Sequence, residues 1–221
     1  MLARRGIHEP FAIQARALPD ALAGHDVLAR AQTGSGKTLA FGLPMLARLA
    51  GDAANRKSQR PRGLVLVPTR ELARQVAGDL EPVATVLNLR VTTVFGGAPM
   101  GRQIEQLRRG VDVVVATPGR LMDLMEQRAV SLDSVEIAVL DEADHMADLG
   151  FLPAVTKILD TTPHGRQCLL FSATLDRGVD KLVARYLSDP AIHAVAPASS
   201  PVENVDHHVF VLGHDDKVTV A

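Results

Sequence analysis

Ala31-Gln32-Thr33-Gly34-Ser35-Gly36-Lys37-Thr38 is the stretch that decides the fold of this chain. Just before it, residues 26–30 (Asp-Val-Leu-Ala-Arg) read as a short strand. Just after it, residues 39–49 read as a helix, with Leu39, Leu43, Leu46 and Ala50 at helical spacing. A strand, a glycine-rich loop, Gly-Lys-Thr and a helix form the arrangement that cradles a phosphate. Gly34 and Gly36 can take backbone conformations that a side chain forbids. Successive N–H groups then point into one concavity at a helix N-terminus, where the helix dipole favours an anion. In such a loop Lys37 reaches the outer phosphates of a nucleotide and the Thr38 hydroxyl ligates Mg²⁺. One position departs from the general pattern, which opens with Gly where this chain has Ala31.

The second half of such a site stands downstream. Residues 135–140 are apolar apart from Glu136 and run into Asp141-Glu142-Ala143-Asp144. An apolar strand ending in Asp-Glu places Asp141 beside the Mg²⁺ held by Thr38, and Glu142 where it can orient or deprotonate an attacking water. Paired acids of this kind are costly to bury unless a cation is near. Lys37, Asp141 and Glu142 are therefore the candidate catalytic residues. Thr33, Gly34, Ser35, Gly36, Lys37 and Thr38 are the candidate phosphate-binding residues, and Thr38 and Asp141 the candidate metal ligands.

Composition sets the outer bounds. At 221 residues, 47% of them hydrophobic, the chain is long enough for one large domain with a sizeable core. With no Trp and one Tyr, that core must be built from Val, Leu, Ile and Ala. A net charge of −1 supplies no bulk basic field, so any nucleic-acid contact must come from local geometry. Cys168, the single cysteine, lies in an apolar run and reads as a small core residue, excluding a disulfide framework or a zinc site. No apolar stretch approaches the ~20 residues that span a bilayer. The N-terminus lacks a signal-peptide run, so the expected location is the cytoplasm.

The rest of the chain alternates buried strands and helices. Residues 11–22 have helical periodicity, Pro10 opens the helix and Gly24 closes it. Residues 51–62 are polar and basic and read as a mobile loop, either solvated or touching a nucleic acid. Strands are expected at 63–67, 90–95, 111–116, 135–140, 167–171 and 190–196. Continuous apolar runs at several of these are those of strands buried on both faces. Thr69 is placed to cap a helix reaching towards Leu87, and Thr117 to cap the one after it. Helices are expected at 100–109 and 176–187. Residues 205–212 alternate and could form a last edge strand. His145, beside the acidic pair, reads as a packing or hydrogen-bonding residue with a pH-sensitive role as the other possibility.

In these residues the chain resembles the DEAD-box ATP-dependent RNA helicases. The resemblance rests on Gly6, Pro10, Ile13 and Gln14 ahead of the phosphate loop, on Pro68-Thr69-Arg70-Glu71-Leu72, Gly96-Gly97 and Thr117-Pro118-Gly119-Arg120, on Asp141-Glu142-Ala143-Asp144 with Gly150-Phe151 after it, and on Ser172-Ala173-Thr174. It implies an α/β fold: a RecA-like P-loop NTPase domain with a mostly parallel central sheet and helices on both faces. It implies ATP, with the Gln14 amide reading adenine, and Mg²⁺. It implies RNA as partner, gripped by Pro68, Thr69, Arg70, Glu71, Gly97, Gln103, Thr117, Pro118, Gly119 and Arg120. It also implies that Asp144, Ser172 and Thr174 couple the nucleotide state to strand separation. Phe11 stands where that family often has Thr or Ser, and the aromatic residue that usually lies upstream of the Gln would precede Met1.

The expected organisation is one RecA-like domain over 1–212 and the start of a linker over 213–221, leading to a second RecA-like domain. The compositional bias hints at a GC-rich bacterial source. The expected function is the ATP-binding half of an RNA helicase that couples hydrolysis to local duplex unwinding. An isolated nucleotide- and RNA-binding module without turnover is the alternative.

Overall fold

Val, Leu, Ile and Ala fill the central strands because both faces of the sheet are covered. In the computed structural model, which describes residues 6–51, 56–175 and 177–195, every residue of four strands is buried. These are β2 (Gly63–Leu66), β4 (Val113–Ala116), β5 (Ile137–Asp141) and β6 (Gln167–Ser172). With β1 (Val27–Arg30), β3 (Val91–Val94) and β7 (Ala191–Ala194) they form one seven-stranded sheet in the order β3-β4-β2-β5-β6-β1-β7, each pairing parallel. The expected mostly parallel α/β architecture is present. The two outer strands, β3 and β7, alternate in exposure.

The strand period of two sorts side chains onto two cores. Val27 and Ala29, Val65, Val113 and Val115, Ile137 and Val139, and Leu169 and Phe171 face one way. That layer is covered by α1 (Ala12–Ala23), α2 (Lys37–Ala50) and α3 (Arg70–Val86) through Ile13, Phe41, Met45, Leu46, Val76 and Leu80. Leu28, Leu64, Leu66, Val114, Ala138, Leu140, Cys168 and Leu170 face the other way. They meet α4 (Met100–Arg108), α5 (Pro118–Glu126), α6 (Ala143–Asp148), α7 (Leu152–Asp160) and α8 (Arg177–Tyr186). Cys168 is buried there as a small apolar residue, and burial pushes its thiol up to about 12.

Helix α2 lies so close to α3 that a Cβ added to Gly42 would overlap the buried Leu80 side chain. Gly42→Val is expected to destabilise the fold by about 1–3 kcal/mol through overpacking, a fall of roughly 2–10 °C in melting temperature. An unchanged thermal midpoint would show that this contact does not limit the approach of the two helices.

Two expectations need correction. The basic stretch 56–62 is tied down by ion pairs, with Arg56 and Arg62 turned inward and Arg60 paired at the surface, and is not simply a solvated or mobile loop. Arg56 Nε donates to the fully buried Asp112 (2.7 Å), Arg60 pairs with Asp133 (2.7 Å), and the buried Arg62 donates to Glu136 (2.6 Å) and to the Leu49 carbonyl (3.0 Å). The buried Asp112 needs such a partner, and Arg56 supplies it. Several strands also begin later than their apolar runs, since Val111 and Val135 are buried in the turns leading into β4 and β5. Residues 52–55, the alternating stretch 205–212 and the linker start at 213–221 lie outside the described residues.

Candidate functional site

The strand order brings the two chemical motifs together. β6 lies between β1 and β5, with Ala29 and Asp141 both in register with Phe171. The loop after β1 and the acidic turn after β5 therefore leave the same rim of the sheet about two strand spacings, or ~10 Å, apart. The hydrogen bond from Ala31 N to the Ser172 carbonyl (3.0 Å) extends the ladder into the loop.

Gly34 and Gly36 have φ of 82° and 85°, in the left-handed region expected of a phosphate loop. Ser35 Oγ closes the turn onto the Gln32 carbonyl (2.7 Å). Lys37, the first residue of α2, is 6% exposed. Its Nζ lies 3.7 Å from Asp141 Oδ1 and has no hydrogen-bond partner. Burial pushes the Asp141 carboxyl up to about 6; the Lys37 charge opposes that shift and the Glu142 charge adds to it. The site thus holds an ammonium short of hydrogen-bond acceptors, paired with a carboxyl whose burial the single Lys37 charge does not offset.

Glu142 is a non-glycine residue in the left-handed region, φ 53° and ψ 53°. Such backbone costs about 1–3 kcal/mol and persists where neighbours over-determine it. Here Glu142 N donates to Asp141 Oδ1 (3.0 Å), Thr33 Oγ1 donates to Glu142 Oε1 (2.9 Å), and His145 Nδ1 lies 3.4 Å from Glu142 Oε2. Thr33, expected only as a phosphate-loop residue, ties that loop to the acidic turn. His145 is a hydrogen-bonding neighbour, as read from its position.

Asp144 joins a third element. Its Oδ2 accepts from Ala173 N (3.2 Å), Thr174 N (2.9 Å) and Thr174 Oγ1 (3.0 Å), while its own N–H donates to Ser172 Oγ (3.1 Å). Burial raises its pKa, but the Thr174 N–H and the Ser172 and Thr174 hydroxyls outweigh that and hold it below the ordinary carboxylate range. The coupling trio read from the sequence is a bonded cluster.

Gln14 is buried at the third position of α1. Its Oε1 accepts from Phe11 N (3.0 Å), the reciprocal half of a capping box, and its Nε2 donates to the Gly36 carbonyl (2.9 Å). The amide therefore braces the phosphate loop and keeps one donor and one acceptor lone pair for anything else. The Phe11 ring packs beside it, where a Cβ on Gly36 would meet it at 2.5 Å.

A cleft of about 200 Å³ opens between these parts, lined by Gln14, Thr33, Gly34, Gly36, Lys37, Thr38, Asp141 and Glu142. Ile7, Phe11, Leu39, Leu72, Gln75 and Asp79 complete the lining and were not among the site residues expected from the sequence. Leu72, Gln75 and Asp79 recur at helical spacing on α3, and that stripe is the signal that could have found them. Lys37 is the only cation lining the cleft among the described residues. No cluster of three or more His, Cys, Asp or Glu placed to hold a metal occurs among them. Thr38 and Asp141 nonetheless fit a Mg²⁺ that takes its other ligands from phosphate oxygens and water.

The remaining motifs occupy the other half of the same rim, at the ends of β2, β4 and β3. Thr69 caps α3 by accepting from Leu72 N (3.2 Å). Pro68 precedes it, and Arg70 pairs with Glu71 at the surface, with its guanidinium beside Gly97. Thr117 N donates to the Val94 carbonyl (2.9 Å). Thr117 is the N-cap of α5 by position, but its side chain makes no capping bond, a correction to its expected role. Pro118 occupies the first turn, and open space lies above Gly119. Two further residues look inward. Gln103 is buried and its Nε2 donates to the Phe95 carbonyl (3.0 Å). Arg120, 13% exposed, donates to the Ala98 carbonyl (3.0 Å) and lies 3.6 Å from Asp123. Both shape the loop at 96–98 rather than project from it.

A family profile described as DEAD/DEAH box helicase matches residues 11–182. The chain is 41% identical over 214 residues to DEAD-box ATP-dependent RNA helicase 24 of Oryza sativa subsp. japonica, covering 97% of this chain and 28% of that protein. It is 42% identical over 210 residues to ATP-dependent RNA helicase RhlB of Pseudomonas syringae pv. tomato, covering 93% of this chain and 53% of that protein. The crystal structure of a hypothetical ATP-dependent RNA helicase from Sulfolobus tokodaii superposes with a TM-score of 0.79 at 36% identity, over 88% of this chain and 55% of that one. The chain spans about half or less of these proteins. With the phosphate loop, the acidic turn and the Asp144 cluster on one rim of a parallel sheet, and a family match across most of its length, this chain belongs to the DEAD/DEAH box helicase family.

Proposed function

We propose that this chain is the RecA-like domain that holds ATP in an ATP-dependent RNA helicase. The observation that carries the reading is the buried Lys37 Nζ, without a hydrogen-bond acceptor, facing Asp141 across the cleft. Lys37 binds the β- and γ-phosphate oxygens, the N–H groups of the 33–38 loop hold the phosphates, and Thr38 and Asp141 would hold Mg²⁺. Mg²⁺ supplies charge neutralisation on the phosphates when bound. Glu142, fixed by Thr33 and its own backbone, orients a water against the γ-phosphorus and accepts its proton. The bond from that phosphorus to the bridging oxygen breaks, and ADP and phosphate leave. No arginine lines the cleft among the described residues. A second RecA-like domain therefore supplies the cation that stabilises the transition state and closes the groove on RNA.

RNA lies along the ends of β2, β4 and β3, over Pro68, Thr69, Arg70, Glu71, Gly97, Thr117, Pro118 and Gly119. Gln103 and Arg120 act there as braces of the 96–98 loop. Contacts of this kind read backbone shape and phosphate, not base sequence, which suits a chain of near-zero net charge. No helix among the described residues is long and apolar enough to cross a membrane. A binding module without turnover is not favoured, because Lys37 and Glu142 are both in place and the relatives are named ATP-dependent RNA helicases.

The reading is tested by RNA-stimulated ATP hydrolysis in the full-length protein. The double substitution Ser172→Ala, Thr174→Ala is expected to keep that hydrolysis and lose duplex unwinding, because it removes both hydroxyls from the Asp144 cluster and leaves only the two backbone bonds. Equal loss of both activities, or of neither, would remove the cluster from the coupling step.

A pH dependence follows from Asp141. Its carboxyl titrates at about 6, and Mg²⁺ requires the ionised form. As the pH falls through about 6, the Mg²⁺-dependent part of ADP affinity is expected to weaken, approaching tenfold per pH unit, and to be flat above that range. Calorimetric titrations of wild type and Asp141→Asn check this. The same bend in both proteins would assign it to the nucleotide's own phosphates and not to Asp141.

A further inference from the structure

A cavity of about 530 Å³ lies away from the nucleotide cleft. It opens at the N-terminal ends of β1 and β6, among the turn after α7, the end of α8 and the segment leading into β1. The six residues of β6, at about 3.3 Å each, put it some 15–20 Å from the phosphate loop along the sheet.

Its two carboxylates and two guanidiniums balance in formal charge but not in hydrogen bonding. Asp160 accepts from Arg185 Nη2 (2.9 and 2.8 Å) and from the Tyr186 hydroxyl (2.8 Å). Asp26 is held by two backbone donors, Cys168 N and Ser188 N, both at 2.7 Å. Both carboxylates are thereby satisfied. Arg166 is not. Its Nη1 makes one long contact to the Pro163 carbonyl (3.4 Å), and its guanidinium carbon lies 5.5 Å from the centroid of the Tyr186 ring, which Arg185 also flanks at 5.5 Å. Its Nε and Nη2 are shielded from solvent and have no hydrogen-bond partner.

Those two nitrogens form one edge of the guanidinium, and two parallel N–H groups on that edge match the two oxygens of a carboxylate or phosphate. Leaving both desolvated and unpaired costs free energy that one oxyanion would recover. We propose that this cavity binds the carboxylate or phosphate group of a small molecule through the Nε–Nη2 edge of Arg166. Arg166 and His164 both line the cavity, so turning that edge towards it is part of the proposed binding, with His164 adding a further polar contact. The site is separate from the proposed ATP site and shares no residue with it.

The test is a backbone amide NMR titration of the folded protein with inorganic phosphate and, separately, citrate, at ionic strength held constant with sodium chloride. The amides of Gly165 and Ser188 report on the cavity, and those of Gly34 and Gly36 report independently on the phosphate loop. The expected result is saturable movement of Gly165 and Ser188 with at least one anion. Which anion acts distinguishes a phosphate ligand from a carboxylate ligand. Arg166→Gln is expected to weaken that response at least about tenfold while the Gly34 and Gly36 response to phosphate stays unchanged. Arg166→Lys keeps the charge and loses the fork, so it too is expected to weaken binding severalfold, and it serves if the glutamine variant does not fold. No saturable movement at Gly165 and Ser188, or movement undiminished in either variant, would overturn the proposal.

Discussion

Glu142→Gln is expected to bind ATP and RNA at near wild-type affinity and to hydrolyse ATP about a hundred- to ten-thousandfold more slowly, the range lost when a positioned general base is removed. The expectation rests on placement. Glu142 lines the cleft with Lys37 and Asp141, and as an anion it is not what holds the phosphates. Its carboxylate is fixed by Thr33 Oγ1 and its backbone is held in the left-handed region, so it is built to present oxygens in one direction. Glutamine keeps the shape and can still accept from Thr33, but it cannot take a proton. Single-turnover hydrolysis alongside equilibrium ATP binding separates the two properties. Fast turnover by the variant would remove Glu142 as the base, and weak binding would make it a ligand instead.

Lys37→Ala is expected to weaken ADP and ATP binding by about ten- to a hundredfold, the worth of charge-assisted hydrogen bonds from a desolvated ammonium to phosphate oxygens. The Lys37 side chain is almost wholly buried and its Nζ lacks an acceptor, so little of its charge is screened by water. The substitution also removes the cation that opposes the upward shift at Asp141. Asp141 is then more readily protonated near neutral pH, and Mg²⁺ binding suffers with it. A fluorescent ADP titration, with a thermal melt as the check on folding, measures the first effect. Affinity unchanged within about twofold would mean that the backbone N–H groups alone hold the phosphates.

Much of this architecture was legible in the sequence because the chemistry demands a local pattern. Gly34 and Gly36 announce positive φ, the apolar runs at 63–67 and 167–171 announce strands buried on both faces, and the run into Asp141-Glu142 announces an acidic turn at a strand end. What the sequence did not show is what each side chain meets across the fold. Arg56, Arg60 and Arg62 read as a solvated basic run until their partners Asp112, Asp133 and Glu136 are placed beside them. Gln103 and Arg120 were expected among the residues that grip RNA, but the turn after β3 brings the Phe95 and Ala98 carbonyls to them. Thr33 has no local sign of its bond to Glu142, which spans two separate strands of the sheet. Pairings of this kind follow from sheet order, and no local periodicity encodes that order.

The most direct test of the central claim is steady-state ATP hydrolysis, with and without RNA, by this chain joined to a second RecA-like domain, with Lys37→Ala as the blank. The account predicts turnover that RNA raises and that falls to background in the Lys37→Ala protein. Hydrolysis indifferent to RNA, or undiminished without Lys37, would contradict it.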